Sequence, residues 1–496
     1  MPDRRTRVVD SASAAPLAAS LAAFRHELGL PDGFPAPVEA EARSVAAAHP
    51  LPEADLTDVP FLTIDPAGST DLDQALHLAR TADGFRVLYA IADVPALVRP
   101  DGEVDAEARR RGQTLYAPDG RVPLHPAAIG EDAGSLLPDV VRGAYVWDIA
   151  LDGSGHEVSA HVSRARIRSR RQWSYEEAQA AIDDGSAPEE LALLSEVGPL
   201  RIACERERGG ASLNTPDEEI VFRDGAYTLQ RRATLPVEEW NAQLSLLTGM
   251  AAAALMLEGR VGILRTMPAP SPEAFAAFRA QTIALGQPWA EGVPYGEYLR
   301  SLDRAQPHAA AVLQAATALF RGAGYVVLDG EPPADPQQSA IAAPYAHVTA
   351  PLRRLVDRWG LVVCEALCAG RPVPDWARSS LGELPSVMGA SNRLAAQLDA
   401  GAVDRVEAAL LSSRIGAVLD TTVLAVRNGT VLVQLDDPAV TASVARWDGV
   451  QPGDRVRLRV VAADIPSGRI HFEPVDAAQP VPDTSDREEP DATPAG

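Results

Sequence analysis

An acidic segment, residues 64–75, constrains the fold of this chain more than any other feature, because it places three aspartates within nine residues. The segments on either side, residues 61–64 and 75–78, are apolar and have the composition of β-strands. Pro66 and Gly68 favour a tight loop between these two segments. The sequence therefore predicts a β-rich unit in which three carboxylates lie at the turn between two strands.

The three aspartates are Asp65, Asp71 and Asp73. The loop would bring Asp65 back toward the other two, which share one face if their segment is extended. Converging carboxylates repel one another unless a cation lies between them. Magnesium suits such a site because it takes oxygen ligands, and a magnesium pair about 3.5–4 Å apart can promote phosphodiester cleavage. The residue types alone leave a second interpretation open, in which Asp, Pro and Gly form a solvated turn.

Composition and charge narrow the class of protein. The 496 residues include 45 Lys+Arg, all of them Arg, and 68 Asp+Glu, so the formal net charge is −23. This acidity argues against a protein that coats nucleic acid through its overall field, although local arginine tracks can still bind phosphates. No uninterrupted apolar stretch approaches the roughly 20 residues that span a bilayer. We therefore expect a soluble protein with no membrane association.

The N-terminus and the cysteines favour a cytoplasmic protein. The first residues faintly resemble a signal peptide, but apolar residues recur there at helical spacing, which predicts a short amphipathic helix. Cys204, Cys364 and Cys368 have neither CxxC nor zinc-type spacing, so we expect buried free thiols in a reducing compartment. Nothing in the sequence indicates an obligate oligomer, and we expect a monomer.

The chain divides into four predicted segments. Residues 1–55 form a helical lead-in, and residues 56–412 form a large α+β unit in which a β-rich part precedes most of the helices. Residues 413–475 form a small β-domain, and residues 476–496, which are rich in Pro, Asp and Glu, are expected to be disordered.

Three further motifs follow the acidic segment in a fixed order. They are the sequences IADV at residues 91–94, RGQTLY at residues 111–116 and YAHVTAPLRRLVD at residues 345–357. Together with Asp-x5-Asp-x-Asp, these motifs resemble the signature of the ribonuclease II (RNB) exoribonuclease family, over about residues 56–475. The resemblance implies an RNB-type catalytic domain with a mixed β-core and flanking helices, followed by a small OB-fold β-barrel of the S1 type.

The resemblance implies roles for residues at matching positions. Asp65, Asp71, Asp73 and Arg353 would be catalytic, and the three aspartates with Gln74 would surround the metal, which is Mg²⁺ or alternatively Mn²⁺. Arg suits contact with a scissile phosphate because its rigid fork binds two oxygens.

Further residues would contact RNA by the same resemblance. Arg354 would support Arg353, and Tyr116 would stack on the base at the 3′ end, which tolerates any sequence. The remaining predicted contacts are Tyr175, Gln243, Tyr345 and His347. Each has a plainer alternative: the arginine pair could be a charged helix end, Tyr116 an ordinary strand residue, Tyr175 a packing residue, and His347 a hydrogen-bonded structural residue.

Three positions depart from the family pattern. Gln74 stands where a fourth aspartate is usual, and it keeps a carbonyl ligand but removes one negative charge. Gln243 is aligned with a family glutamate, so an amide again replaces an acid, and Asp399 matches another family glutamate more loosely.

Arginines alternate at period two in residues 163–170, so one face of the predicted strand carries Arg164, Arg166 and Arg168. Such a face could follow a phosphate backbone, and the alternative is a solvated sheet face.

The resulting functional prediction is hydrolytic, processive 3′→5′ degradation of single-stranded RNA to nucleoside 5′-monophosphates. Two alternatives stay open. One is an RNA-binding protein of the same fold that has lost catalysis through Gln74, and the other is a phosphodiesterase acting on a small molecule, which the arginine tracks and the predicted OB-fold disfavour.

Overall fold

The computed structural model of the protein describes residues 4–7, 11–211, 217–223, 226–232, 234–303, 307–427, 429–436 and 440–475. The predicted disordered tail, residues 476–496, lies outside the described residues.

The strands are β1 (Arg4–Arg7), β2 (Phe61–Asp65), β3 (Gln74–Arg80), β4 (Gly84–Ala92), β5 (Leu115–Ala117), β6 (Gly120–Val122), β7 (Val141–Asp152), β8 (Glu157–Ser174), β9 (Asp217–Arg223), β10 (Ala226–Arg232), β11 (Val261–Thr266), β12 (Gly324–Asp329), β13 (Gln337–Gln338), β14 (Ala343–Pro344), β15 (Val418–Arg427), β16 (Thr430–Leu435), β17 (Thr441–Ala445), β18 (Arg455–Asp464) and β19 (Arg469–Pro474).

The α-helices are α1 (Ser11–Glu27), α2 (Ala36–Ala48), α3 (Val94–Leu97), α4 (Glu103–Arg111), α5 (Tyr175–Asp183), α6 (Glu189–Ala192), α7 (Leu194–Arg208), α8 (Pro236–Gly259), α9 (Pro272–Ala284), α10 (Tyr295–Ser301), α11 (Pro307–Ala316), α12 (Leu355–Cys368), α13 (Asp375–Ser380) and α14 (Leu384–Ser412). A π-helix spans Ala128–Ala133, and 3₁₀ turns span Thr317–Leu319 and Leu381–Glu383.

Five strands close into a barrel in the order β2-β3-β4-β7-β8. Neighbouring strands are antiparallel except for β2 and β8, which close the barrel in parallel. Strand β4 shows why the sheet can be covered on both faces: Val87, Tyr89 and Ile91 belong to one core cluster, and the intervening Leu88 and Ala90 belong to another. The period of two residues sends alternate side chains to opposite faces.

Helices contribute to both core clusters around the barrel strands, and one of these helices is long and apolar. Among the described residues, α8 is the helix whose length and composition would allow it to cross a membrane. Half of its most apolar window is buried inside the protein, where α8 contacts α7 and α12. A core helix passes the same test of length and composition, and the absence of membrane association stays a prediction.

The N-terminal segment is helical in α1 and α2, but Arg4–Arg7 is a strand, which corrects the purely helical prediction for residues 1–55. The reason is tertiary, because β1 pairs with β10 at the edge of the β9–β10 hairpin. Helix α1 buries Leu17 and Leu21 in the core of the C-terminal domain, and Ser20 Oγ donates to the Ile465 carbonyl at 2.9 Å. The lead-in therefore packs against the opposite end of the chain.

The C-terminal strands form a five-stranded antiparallel sheet in the order β17-β16-β15-β18-β19, and the two outer strands approach each other. With the mixed barrel and the helices that follow it, this domain confirms the predicted α+β class. The barrel matters most for function, because the acidic segment joins its first two strands.

Candidate active site

The acidic segment runs from the end of β2 to the start of β3. Its loop turns at Gly68, whose φ of +85° is a conformation that favours glycine. Ser135 anchors the loop, since its hydroxyl donates to the Thr70 carbonyl at 2.7 Å and accepts from the Leu72 amide at 2.9 Å. The loop therefore returns the chain as the sequence predicts.

Asp73 is the most deeply held carboxylate of the three, with 5% of its surface exposed. Its Oδ1 accepts a hydrogen bond from the Leu352 amide at 2.7 Å, and its Oδ2 lies 3.5 Å from Nε of Arg353. Burial raises the pKa of Asp73 to about 8, although Arg353 and the Leu352 amide oppose the shift. The acidic segment and the arginine motif thus form one site.

Asp65 faces the same site without a protein partner for one of its oxygens. Its Oδ2 is buried and has no hydrogen bond within the described part of the chain. Burial raises the pKa of Asp65 to about 7, Asp71 adds to the rise, and Arg353 opposes it. A buried carboxylate oxygen without a donor is costly, and a divalent cation held by oxygen ligands would satisfy it. The residues present therefore fit a divalent metal ion.

Asp71 is held by an arginine that the sequence reading missed. Arg121 on β6 places Nη1 at 2.5 Å from Asp71 Oδ1 and Nη2 at 2.9 Å from Oε1 of Glu131. The same Nη2 donates to Oγ1 of Thr70 at 3.0 Å. Arg121 lies only five residues beyond the RGQTLY motif, but nothing in the sequence pattern places it opposite the aspartates.

Both the nitrogen and the oxygen of the Gln74 side-chain amide are hydrogen-bonded to other protein groups. Its Nε2 donates to the Thr349 carbonyl at 2.7 Å, and its Oε1 accepts from the Tyr89 hydroxyl at 2.5 Å and from Ser245 Oγ at 3.3 Å. Tyr89 is itself buried and also contacts Ser245 at 2.8 Å. This bonding argues against the metal-ligand role predicted for Gln74, because its oxygen already has two donors.

The two adjacent arginines differ in their surroundings. The Arg353 side chain is 46% exposed, so a phosphate can reach it from solvent. Arg354 makes a bidentate pair with Asp357, at 3.0 Å from Nε and 2.8 Å from Nη2, and Asp357 also accepts from the Ala350 amide. Burial is the largest single influence on the pKa of Arg354 and lowers it, but the Asp357 carboxylate and its hydrogen bonds raise it, and the net shift is upward. Arg354 is thus placed to shape the loop that carries Arg353.

Tyr116 on β5 presents its ring to a cleft beside the acidic centre. The side chain is 49% exposed, although burial of its hydroxyl, with Asp71 adding to the effect, raises the pKa of Tyr116 to about 12. The cleft has a volume of about 270 Å³, and its wall includes Arg353 and, from α14, Asp399. Asp399, which the sequence aligns only loosely, therefore faces the same cleft.

Tyr175 and Gln243 have different positions. Tyr175 is the first residue of α5 and follows the capping box at Ser174. Burial raises the pKa of Tyr175, and the nearby Asp65 carboxylate adds to the rise. Gln243 donates from Nε2 to Oε2 of Glu205 on α7 at 2.6 Å. On α8 it is Ser245 that reaches Gln74, so the predicted RNA contact of Gln243 is not supported by its position.

Tyr345 and His347 form a packed aromatic group. Their rings meet edge to face at 5.5 Å between centroids, and His347 Nδ1 lies 2.8 Å from the Tyr325 hydroxyl. Burial lowers the pKa of His347 well below its ordinary value, with Arg354 adding to the effect. A neutral, hydrogen-bonded His347 matches the structural alternative, and the RNA contacts predicted for these two residues stay predictions.

The predicted arginine track is interrupted by ion pairs. Arg164 Nε lies 2.9 Å from Oδ2 of the buried Asp93, and Arg166 Nη2 lies 3.0 Å from Oδ2 of Asp55. Within the described ranges, Nε of Arg168 is buried without a hydrogen-bond partner. Two of the three arginines are paired with acids of this chain, which argues against the continuous phosphate-binding face that the alternation predicts, and the RNA contacts of the three arginines stay predictions.

Another group of residues that can bind metal ions lies outside the acidic segment. His156, Cys204 and Glu207 have ligand atoms within 4.8 Å of one another. Its members already have protein partners: His156 Nε2 lies 3.1 Å from Glu207 Oε2, and the Cys204 thiol donates to the Ser154 carbonyl, outside the group, at 3.6 Å. All three cysteines of the chain are free thiols, two of them buried.

Comparison with known proteins agrees with this arrangement. The family model of the RNB domain matches residues 53–363, and that of the RNase II-type exonuclease C-terminal S1 domain matches residues 417–475. The probable exosome complex exonuclease RRP44 of Caenorhabditis elegans is 29% identical over 336 residues, which cover 62% of this chain and 34% of that protein. Ribonuclease R of Escherichia coli is 27% identical over 322 residues, which cover 61% of this chain and 39% of that protein. The chain thus spans about a third of the length of these curated relatives.

Solved structures share the fold. Mycoplasma genitalium RNase R in complex with ribose methylated single-stranded RNA has a TM-score of 0.82 at 18% identity, covering 93% of this chain and 78% of that one. Yeast Ssd1, described as a pseudonuclease, has a TM-score of 0.65 at 16% identity, and the match covers 88% of this chain and 56% of that one. The ordered motifs, the fold and both family models lead to one conclusion: the chain belongs to the RNB (ribonuclease II) family.

Proposed function

We propose that this protein is a hydrolytic 3′→5′ exoribonuclease that degrades single-stranded RNA processively to nucleoside 5′-monophosphates with Mg²⁺. One observation carries the proposal: Asp65, Asp71 and Asp73 lie beside Arg353, which also lines the cleft that contains the exposed ring of Tyr116. The related exonucleases support the class of reaction. We also propose that the protein is a monomer and that it is cytoplasmic. The free thiols support the cytoplasmic location, because a reducing compartment keeps cysteines unpaired.

Each group has a defined task in this mechanism. Asp65, Asp71 and Asp73 would hold the divalent ion, which when bound supplies Lewis-acid polarisation of the scissile phosphate. Arg353 would donate to the phosphate oxygens and stabilise the charge that develops on them during in-line attack by water. The 3′ oxygen of the preceding nucleotide leaves, and the released nucleotide keeps the phosphate on its 5′ oxygen. Tyr116 would stack on the terminal base without selecting a sequence.

A second candidate function is RNA binding without cleavage. The observation that favours it is Gln74, which brings no negative charge to the centre and has its oxygen committed to Tyr89 and Ser245. The argument against it is Oδ2 of Asp65, which is buried and has no hydrogen bond to any residue that the structure describes. A buried carboxylate oxygen is destabilising unless a cation or a donor binds it.

A time course on 5′-labelled single-stranded RNA separates the two. The proposal expects full-length RNA to be converted to a short 5′ fragment with few intermediates in magnesium, and to survive in EDTA. RNA that binds but survives at all magnesium and manganese concentrations would replace the nuclease proposal with the binding one. A ladder of intermediates would retain the nuclease and remove processivity.

A further inference from the structure

The acidic centre already contains a protein cation, which lies among oxygen atoms of two acids and a hydroxyl. The Arg121 guanidinium bridges Asp71 and Glu131, at 2.5 Å and 2.9 Å from their oxygens. A hydroxyl, Oγ1 of Thr70, lies 3.0 Å from the same Nη2. Two carboxylates and a hydroxyl are oxygen ligands of the kind that magnesium takes, and here they surround a guanidinium.

The position of Arg121 is built into the fold. Arg121 is the cross-strand partner of Tyr116 in the short β5–β6 hairpin, so the two side chains project from the same face. An ion pair between Asp119, at the turn of this hairpin, and Arg25 on α1 ties the hairpin to the N-terminal helix. With 28% of its side chain exposed, Arg121 is partly shielded from solvent, which strengthens its pairing with Asp71.

The formal charges of the centre match one divalent ion. Asp65, Asp71, Asp73 and Glu131 contribute four negative charges, and Arg121 and Arg353 contribute two positive charges, which leaves −2. One divalent cation neutralises this charge, whereas two would leave a surplus of +2. The amide of Gln74 adds no charge, and its oxygen is already hydrogen-bonded by Tyr89 and Ser245.

We propose that Arg121 supplies, as a fixed guanidinium, the positive charge that a second divalent ion would otherwise supply beside Asp71, so that the centre binds a single exchangeable ion. Arg121 is then a positioning residue, which holds Oδ1 of Asp71 and leaves the other oxygen for the ion. The inference rests on the proposed function, since it concerns the same acidic centre, but it concerns the number of ions and not the cleavage reaction.

The test counts bound Mn²⁺ ions on the full chain by electron paramagnetic resonance and calorimetry, with no RNA present. The wild-type protein should bind one Mn²⁺ at the centre. Arg121→Ala frees Asp71, Glu131 and Thr70, and should bind a second, weaker ion. Arg121→Lys retains the charge and should bind one, and Arg121→Ala combined with Glu131→Gln should return to one.

Arg86→Ala is the matched control, because Arg86 forms a bidentate pair with Asp148 toward the other end of the barrel strands. It should leave the number of bound ions at one. Two ions in the wild-type centre would overturn the inference without any variant having to fold, and a single ion in a folded Arg121→Ala protein would overturn it as well. One bound ion without RNA cleavage would instead refute the proposed function and leave this inference intact.

Discussion

Asp73 and Arg353 lie far apart in the sequence, yet Oδ2 of Asp73 is 3.5 Å from Nε of Arg353, and the neighbouring Leu352 amide donates to Oδ1. The contact joins the first strand pair of the barrel to the loop that precedes α12. It places the proposed phosphate-binding cation directly beside the most buried carboxylate of the centre.

Replacing Asp73 should therefore separate catalysis from binding. Asp73→Asn preserves the shape and an oxygen that can accept from the Leu352 amide, but it removes the charge that the metal ion and Arg353 require. We expect turnover of labelled RNA to be lost while the dissociation constant for single-stranded RNA, measured by fluorescence anisotropy, changes by less than about threefold, or ~0.6 kcal/mol. An affinity that falls in parallel with the rate would show that Asp73 has a structural role instead.

Tyr116 should contribute to RNA affinity through its ring and not through its hydroxyl. Loss of one stacked base costs about 1–3 kcal/mol, so Tyr116→Ala should weaken binding of single-stranded RNA roughly 5- to 150-fold and lengthen the final undegraded fragment. Tyr116→Phe is the control and should bind like the wild type. If both variants lose the same affinity, the hydroxyl and not stacking is responsible.

Gln74 should act as a structural residue. Gln74→Glu replaces the donor to the Thr349 carbonyl with an oxygen and leaves that acceptor unpaired, which should lower the free energy of unfolding by about 1–3 kcal/mol in EDTA. Urea denaturation measures this change, and the exposed Gln397 on α14 offers the control Gln397→Glu, expected to be near neutral. A Gln74→Glu protein that is stabilised by magnesium beyond the wild type would restore the metal-ligand role predicted from the sequence.

His125 should make the protein less stable in acid. Burial lowers the pKa of His125 to about 4, and the charge of Arg358 adds to the effect. In the unfolded chain, where the histidine pKa is near 6.5, His125 is protonated below that pH, whereas in the folded chain it stays neutral down to about pH 4. The free energy of unfolding therefore falls as the pH drops from about 6.5 to 4. The full effect is about 3 kcal/mol.

Urea midpoints at pH 5 and pH 7 measure this loss. His125→Gln can still donate to the Pro351 carbonyl, which His125 Nε2 approaches at 3.3 Å, but it cannot titrate, so it should show a smaller difference between the two pH values than the wild type. The exposed His26 provides the control His26→Gln. Equal pH dependence in wild type and His125→Gln would assign the acid sensitivity to other groups.

The sequence by itself determined the parts of this protein that depend on local pattern. The strand–loop–strand unit around Asp65 and Asp73 follows from apolar alternation and from Pro66 and Gly68, whose preferences act within a few residues. The ordered motifs determined the family and the α+β class, because each motif retains its residue types and its order along the chain. The helix at the N-terminus was also evident from its spacing.

Only the tertiary structure decided which charges meet. Arg121 lies on a separate hairpin, and its pairing with Asp71 and Glu131 depends on how that hairpin packs. The same is true of Gln74: the resemblance implies a metal ligand, whereas in the fold its amide is hydrogen-bonded to Tyr89 and Thr349.

The alternating arginines on β8 are a further case in which the sequence predicts the local structure but not the side-chain contacts. The pattern correctly indicates one face of a strand, but the fold pairs Arg164 with Asp93 and Arg166 with Asp55. Coulomb and hydrogen-bond energies depend on distances of a few ångströms between side chains that are remote in sequence. Residue types and spacing do not contain those distances, which arise only when the barrel closes and the helices pack against it.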